Sequence, residues 1–156
     1  MMKYDLQLFG GRGGSSGAGG AAESSSSVSS FGAPANSETQ AFHNAQVSKL
    51  NSSEYGEGTY DLNTLQTVSY DNGYQVTFSQ IGDNYSNTEY ADKVNEFLAI
   101  SSDGKTLAGK FEGTPEVSFH CNSKSTAVKL AKKYNQISIW DWGKCEEIKT
   151  GGTGRR

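Results

Sequence analysis

The chain has 156 residues, a formal net charge of −3 and a hydrophobic content of 34%. That length allows one ordinary domain, and the acidic balance argues against bulk nucleic-acid binding while leaving room for a local basic face. No apolar run approaches the roughly 18 residues of a membrane-spanning helix.

The hydrophobic deficit is local. Residues 10–38 hold eight Gly, nine Ser and five Ala, with only Arg12, Glu23 and Glu38 charged. Such a stretch buries too little apolar surface to offset its chain entropy and reads as a flexible tether. Ahead of it stands a short apolar peptide, Tyr4-Asp5-Leu6-Gln7-Leu8-Phe9, in which Leu6 and Leu8 alternate with their neighbours. A peptide of that pattern suits addition as an edge strand to a partner. No secretory leader is expected, because Asp5 and Gln7 interrupt the apolar stretch. Reduced thiols are expected for Cys121 and Cys145. Residues 39–57 are polar with sparse apolar positions; a short helix over 39–50 is allowed, but composition favours linker.

The folded unit is therefore expected over 58–149, with 1–57 as peptide and linker and 150–156 as a flexible basic tail. Residues 65–80 read as a hairpin. A three-residue Asp71-Asn72-Gly73 turn pairs Tyr70 with Tyr74, Val68 with Val76 and Gln66 with Phe78, which gathers apolar residues on one face. It also puts Gly73 where a left-handed residue is needed.

Ser86-Asn87-Thr88-Glu89 is a capping box, and Tyr90, Val94, Phe97 and Leu98 then share one face of a helix over 87–100. Residues 105–111 read as a strand with Leu107 and Phe111 on one side. In 116–121, Val117, Phe119 and Cys121 alternate toward one face. Asn122 or Ser123 caps a second helix over 124–134, whose Ala127, Leu130, Ala131 and Tyr134 line one side. Asn135 is a left-handed terminator. Strands over 136–142 and 144–149 complete the order β-β-α-β-β-α-β-(β). The expected fold is α+β: a small, mostly antiparallel sheet covered on one face by two helices, behind a disordered Gly/Ser arm.

The residues that carry chemistry are few. Gly10-Gly11-Arg12-Gly13-Gly14 lacks the lysine and hydroxyl of a phosphate loop. His120 and Cys121 adjoin on a strand and so point to opposite faces, which prevents a base–nucleophile pair. Two cysteines and His43 and His120, without a C-x-x-C, are too few for zinc. The expectation is a protein without catalysis, metal or cofactor. Lys129, Lys132 and Lys133 lie off the buried face of the second helix. They read either as a solvated face or, with Arg155 and Arg156, as an anion or nucleic-acid contact. Trp140 and Trp142 share one strand face, and two readings stay open: core packing, or an exposed patch that binds a protein.

The start Tyr4-Asp5-Leu6-Gln7-Leu8-Phe9-Gly10-Gly11-Arg12-Gly13 resembles the opening of proteins encoded in structural gene clusters of tailed phages and prophages of Gram-positive bacteria. A related LQLF start occurs on some of their capsid and head proteins. The stretch from Glu116-Val117-Ser118-Phe119 through Leu130-Ala131-Lys132-Lys133-Tyr134-Asn135-Gln136-Ile137-Ser138-Ile139 is similar to a strand–helix–strand pattern in small bacterial and phage domains. The resemblance implies a phage or prophage origin and an α+β fold, and it carries no catalytic residue. Its leading implication is a virion- or head-associated protein that docks through Leu6, Leu8 and Phe9. The alternatives are a phage inhibitor of host defence, anti-CRISPR-like and acting by protein–protein binding, and a nucleic-acid-binding accessory protein. The expected partner is a capsid or host defence protein, with no membrane, in the virion or the host cytoplasm.

Overall fold

The structure, a computed structural model, describes residues 34–80, 85–111 and 113–154. Among the described residues nine elements follow one another: α1 (Thr39–Leu50), β1 (Gly58–Asp61), β2 (Tyr74–Gln80), α2 (Asn87–Leu98), β3 (Leu107–Phe111), β4 (Thr114–Cys121), α3 (Lys124–Lys133), β5 (Ser138–Asp141) and β6 (Glu146–Lys149). The strands form one antiparallel sheet in the order β1-β3-β4-β2-β5-β6. The α+β class and the open antiparallel sheet are as expected, with three helices among the described residues in place of two.

The two expected helices form where local chemistry starts and stops them. Ser86 and Glu89 complete the capping box of α2, through Ser86 N–H to Glu89 at 3.1 Å and Glu89 N–H to Ser86 Oγ at 3.2 Å. Ser123, rather than Asn122, caps α3 by accepting from Thr126 N–H. Asn135 ends it in the left-handed region at φ 56°, where the short polar side chain tolerates a conformation most residues avoid. Both helices lay their apolar stripe on one face of the sheet. There Phe78, Phe97 and Phe119 are almost fully buried, with Phe97 and Phe119 stacked at 4.9 Å.

The third helix corrects the linker expectation over 39–50, and contacts with the core reach back to Ala35, whose N–H donates to Asn95 Oδ1 at 2.8 Å. In α1, His43, Gln46, Val47 and Leu50 are buried at positions i, i+3, i+4 and i+7, one helical face. Val47 and Leu50 join the same core as the aromatic residues. Two members of that face are polar, and each finds a partner. His43 Nδ1 meets Tyr90 Oη at 2.8 Å, and Gln46 Nε2 donates to the Leu62 and Asn63 carbonyls at 2.9 and 3.1 Å.

The expected 65–80 hairpin does not form. β2 is a central strand: Val76 pairs with Phe119 of β4, and Gln75 pairs with both His120 of β4 and Trp140 of β5. With both edges occupied, residues 65–70 have no place beside it. They bend back instead, with Leu65 at φ 60°, and touch the free edge of β1 through a Tyr60–Thr67 bridge and Val68 N–H to the Thr59 carbonyl at 2.9 Å. The chain then crosses the sheet face opposite the helices and enters β2 at Tyr74. Gly73 is left-handed as expected, at φ 93°.

Candidate functional site

Strand alternation divides β4 as the sequence implies. Cys121 belongs to the helix-side core, and burial pushes its thiol pKa up. His120 points to the opposite face and is also buried. There it meets residues from two other segments. Tyr70 stacks on the imidazole with ring centroids 3.7 Å apart. The Asn72 carbonyl accepts from Nε2 at 2.6 Å, which leaves Nδ1 as the acceptor for the Ser102 hydroxyl. Ser102 N–H donates to the His120 carbonyl at 2.9 Å, so backbone and side chain hold the same pair. Burial lowers the His120 pKa, partly opposed by the Asn72 carbonyl and the Asp103 charge, so the ring is neutral near pH 7.

The cluster extends on both sides. Tyr70 Oη donates to Asp103 Oδ2 at 2.7 Å, and burial, then the neighbouring carboxylate, raises the phenol pKa. Asp103 also accepts from Ser101 Oγ and Lys105 N–H. Next to it, Gln75 Nε2 donates to Ser118 Oγ at 2.8 Å while its Oε1 accepts from Trp142 Nε1 at 3.1 Å. Trp142 packs edge-on against Tyr70 at 5.6 Å. A serine hydroxyl, a neutral imidazole and a carboxylate thus gather from distant parts of the chain. Both imidazole nitrogens are engaged and the ring is capped by Tyr70. The arrangement ties loops 66–73 and 101–105 to β4, as a polar network does when every member is satisfied.

These surroundings decide the tryptophan question. Trp140 is 4% and Trp142 3% exposed. Neither is a surface anchor; the core reading holds, and the exposed patch is corrected. Trp142 is covered by the crossing segment, where Tyr70 packs edge-on against it.

The lysines stand where periodicity puts them. Lys129 and Lys132 are exposed on α3 and make no ion pair with any described residue. Lys133 differs: its Nζ donates to Glu96 at 2.6 Å and lies 5.5 Å from the Tyr134 ring centroid. Lys124, which the sequence reading had not singled out, joins Lys129 and Lys132 around Val128 on one shallow surface. Leu6, Leu8, Phe9, Arg155 and Arg156 lie outside the described residues.

No protein family, curated protein or solved structure matches the chain. Among the described residues, no three His, Cys, Asp or Glu side chains group to hold a metal ion, and no helix is long and apolar enough to cross a membrane.

Proposed function

We propose that the chain works by binding, as a phage- or prophage-encoded protein associated with the virion head, with Leu6, Leu8 and Phe9 as its docking element. The observation that carries this reading is the arrangement along the chain. A six-residue alternating apolar peptide stands ahead of a Gly/Ser/Ala stretch, and contacts with the folded unit begin near Ala35, just ahead of α1. A Gly/Ser coil of about 24 residues, from 10 to 33, reaches roughly 25–30 Å on average. An edge-strand peptide on such a reach holds a domain of this size beside a shell, and repeated copies bind with avidity.

The His120 cluster supports a binding role over a catalytic one, because its polar groups are spent on one another. The burial of Trp140 and Trp142 removes the exposed aromatic anchors on which the host-defence-inhibitor alternative leaned. The test is mass spectrometry of purified virions from the encoding strain, with the non-virion lysate as control, repeated for a chain lacking residues 1–33. Stoichiometric presence in virions that is lost with the deletion is the expected result. Free protein in the lysate and none in virions overturns the reading.

A further inference from the structure

We propose that the cleft between α1, α2 and the approach to β3 binds a small uncharged planar heterocycle, of the nucleobase or nucleoside class. The proposal does not depend on the docking arm.

The cleft has a volume of about 340 Å³, at the lower end of the range for small-molecule sites. Its walls come from four stretches of chain. The lead into α1 and its first turns form one side, and Val94 and Leu98 of α2 form another. Asn63 reaches in from the loop after β1, and Thr106 from the approach to β3. These stretches are tied together. Ala35 N–H donates to Asn95 Oδ1 at 2.8 Å, and Asn95 Nδ2 donates to the Ala35 carbonyl at 3.2 Å. The Thr106 carbonyl accepts from Leu62 N–H at 2.9 Å, and the Asn63 carbonyl accepts from Gln46 Nε2 at 3.1 Å. The cavity is therefore shaped before a ligand arrives, which lowers the cost of binding.

The polar groups that line it are unspent. His43 is only 4% and Thr106 only 5% exposed, and both face the cleft. Tyr90 Oη lies 2.8 Å from His43 Nδ1. A buried hydroxyl with one partner places its hydrogen by donating it, so Nε2 carries the imidazole proton. That N–H has no acceptor among the described residues. Thr106 Oγ1 and the Asn63 side-chain amide likewise have no hydrogen-bond partner among them. The free atoms of His43 and Thr106 are not sealed from solvent; they open on the cleft. Other buried polar side chains of this fold, Gln46, Gln75 and His120, are matched, as buried polar groups generally are. Three unmatched ones around a single cavity point to a ligand that completes them.

The chemistry of the lining selects the class. His43 offers a donor, Thr106 a donor or an acceptor, and Asn63 one of each, which suits the ring nitrogens and exocyclic groups along the edge of a base. Phe42 offers the face. It lines the same cleft and is 46% exposed, whereas Phe78, Phe97 and Phe119 are almost fully buried. A planar ring stacks on such a surface. Glu38 is the one charged side chain among the described residues of the lining, and burial keeps His43 neutral near pH 7 by lowering its pKa to about 4. With no cation to pair a phosphate or carboxylate, the site takes an uncharged ligand.

Titration of the full chain with adenosine, inosine, cytidine and uridine, followed by backbone amide shifts in NMR, tests this. Saturable binding of at least one nucleoside at micromolar to millimolar concentration is expected, with shifts at Phe42, Asn63 and Thr106. Phe42→Ala is expected to weaken that binding about tenfold by removing the stacking face. Thr106→Val keeps the shape, removes the hydroxyl and is expected to weaken it about three- to tenfold. An unchanged unfolding transition checks the fold of each variant, and Asn63→Ala, which removes an amide without partners, replaces either one that shifts it. No saturable binding of any of the four nucleosides overturns the proposal, as does binding that none of the variants weakens. Tighter binding of the matching nucleoside monophosphate overturns the uncharged class, and tighter binding of phenol overturns the heterocycle.

Discussion

Tyr70 lies flat on the imidazole of His120, with ring planes 5° apart and centroids at 3.7 Å, across fifty residues of sequence. The stack pins the crossing segment to the sheet, and the Tyr70 hydroxyl extends the hold to Asp103. Tyr70→Phe keeps the ring and removes a hydrogen bond to a carboxylate, an expected loss of about 1.5–3 kcal/mol. Tyr70→Ala removes the ring as well and is expected to cost more, toward the roughly 3–5 kcal/mol of buried aromatic truncations. Urea unfolding measures both; a Tyr70→Phe loss under about 0.5 kcal/mol would detach Asp103 from the stabilising network.

Gly73 is the seat of the same imidazole. Its φ of 93° disfavours any side chain, and a Cβ there would come within 2.2 Å of His120 Nε2. Gly73→Ala is expected to destabilise by about 1–3 kcal/mol. In a His120→Ala background the steric part vanishes and only the backbone cost stays, so the two losses are expected to be less than additive. Additive losses in a double-mutant cycle would contradict the contact.

Acid is expected to loosen α1 from the core. Burial lowers the His43 pKa from 6.5 to about 4 in the folded chain. Between those values the unfolded chain binds the extra proton, so stability is complete above pH 6.5 and falls as pH drops toward 4. His120 is lowered in the same direction and adds with the same sign. One such group contributes a slope of at most about 1.4 kcal/mol per pH unit. His43→Gln is expected to flatten the urea midpoint's pH dependence between pH 4 and 6.5; an unchanged slope would remove His43 as its source.

Limited proteolysis separates the folded unit from what precedes it. First cuts are expected before Thr39, with α1 protected by Val47 and Leu50 in the core. Leu50 is fully buried, so Leu50→Ala is expected to cost about 2–5 kcal/mol. Early cleavage within 40–50, or a neutral Leu50→Ala, would return this segment to the linker.

Signals that act within a few residues were legible in the chain. The Ser86–Glu89 box, the Ser123 cap, the left-handed Asn135 and the apolar stripes of α2 and α3 each rest on contacts spanning one or two helical turns. The β4 alternation that turns Phe119 inward and His120 outward is equally local. The outward lysines Lys129 and Lys132 follow from the same periodicity. The α1 stripe was obscured because two of its four buried positions are His43 and Gln46. Their burial is sustained by Tyr90 and by the Leu62 and Asn63 carbonyls, which lie far away in sequence.

Which strands pair was a tertiary decision. Residues 65–80 satisfy every local rule for a hairpin, yet β2 gains two partners and buries Val76 and Phe78 by lying between β4 and β5, which excludes residues 65–70 from its edge. That choice sends Tyr70 across to His120, covers Trp142, and assembles a cluster from segments near residues 70, 75, 102, 120 and 142. The return of residues 150–154 to Asn135, where Gly154 N–H donates to the Asn135 carbonyl at 2.8 Å, belongs to the same class. Contacts of that range depend on which distant surfaces are free to be covered, and that is set only when the whole sheet closes over its core.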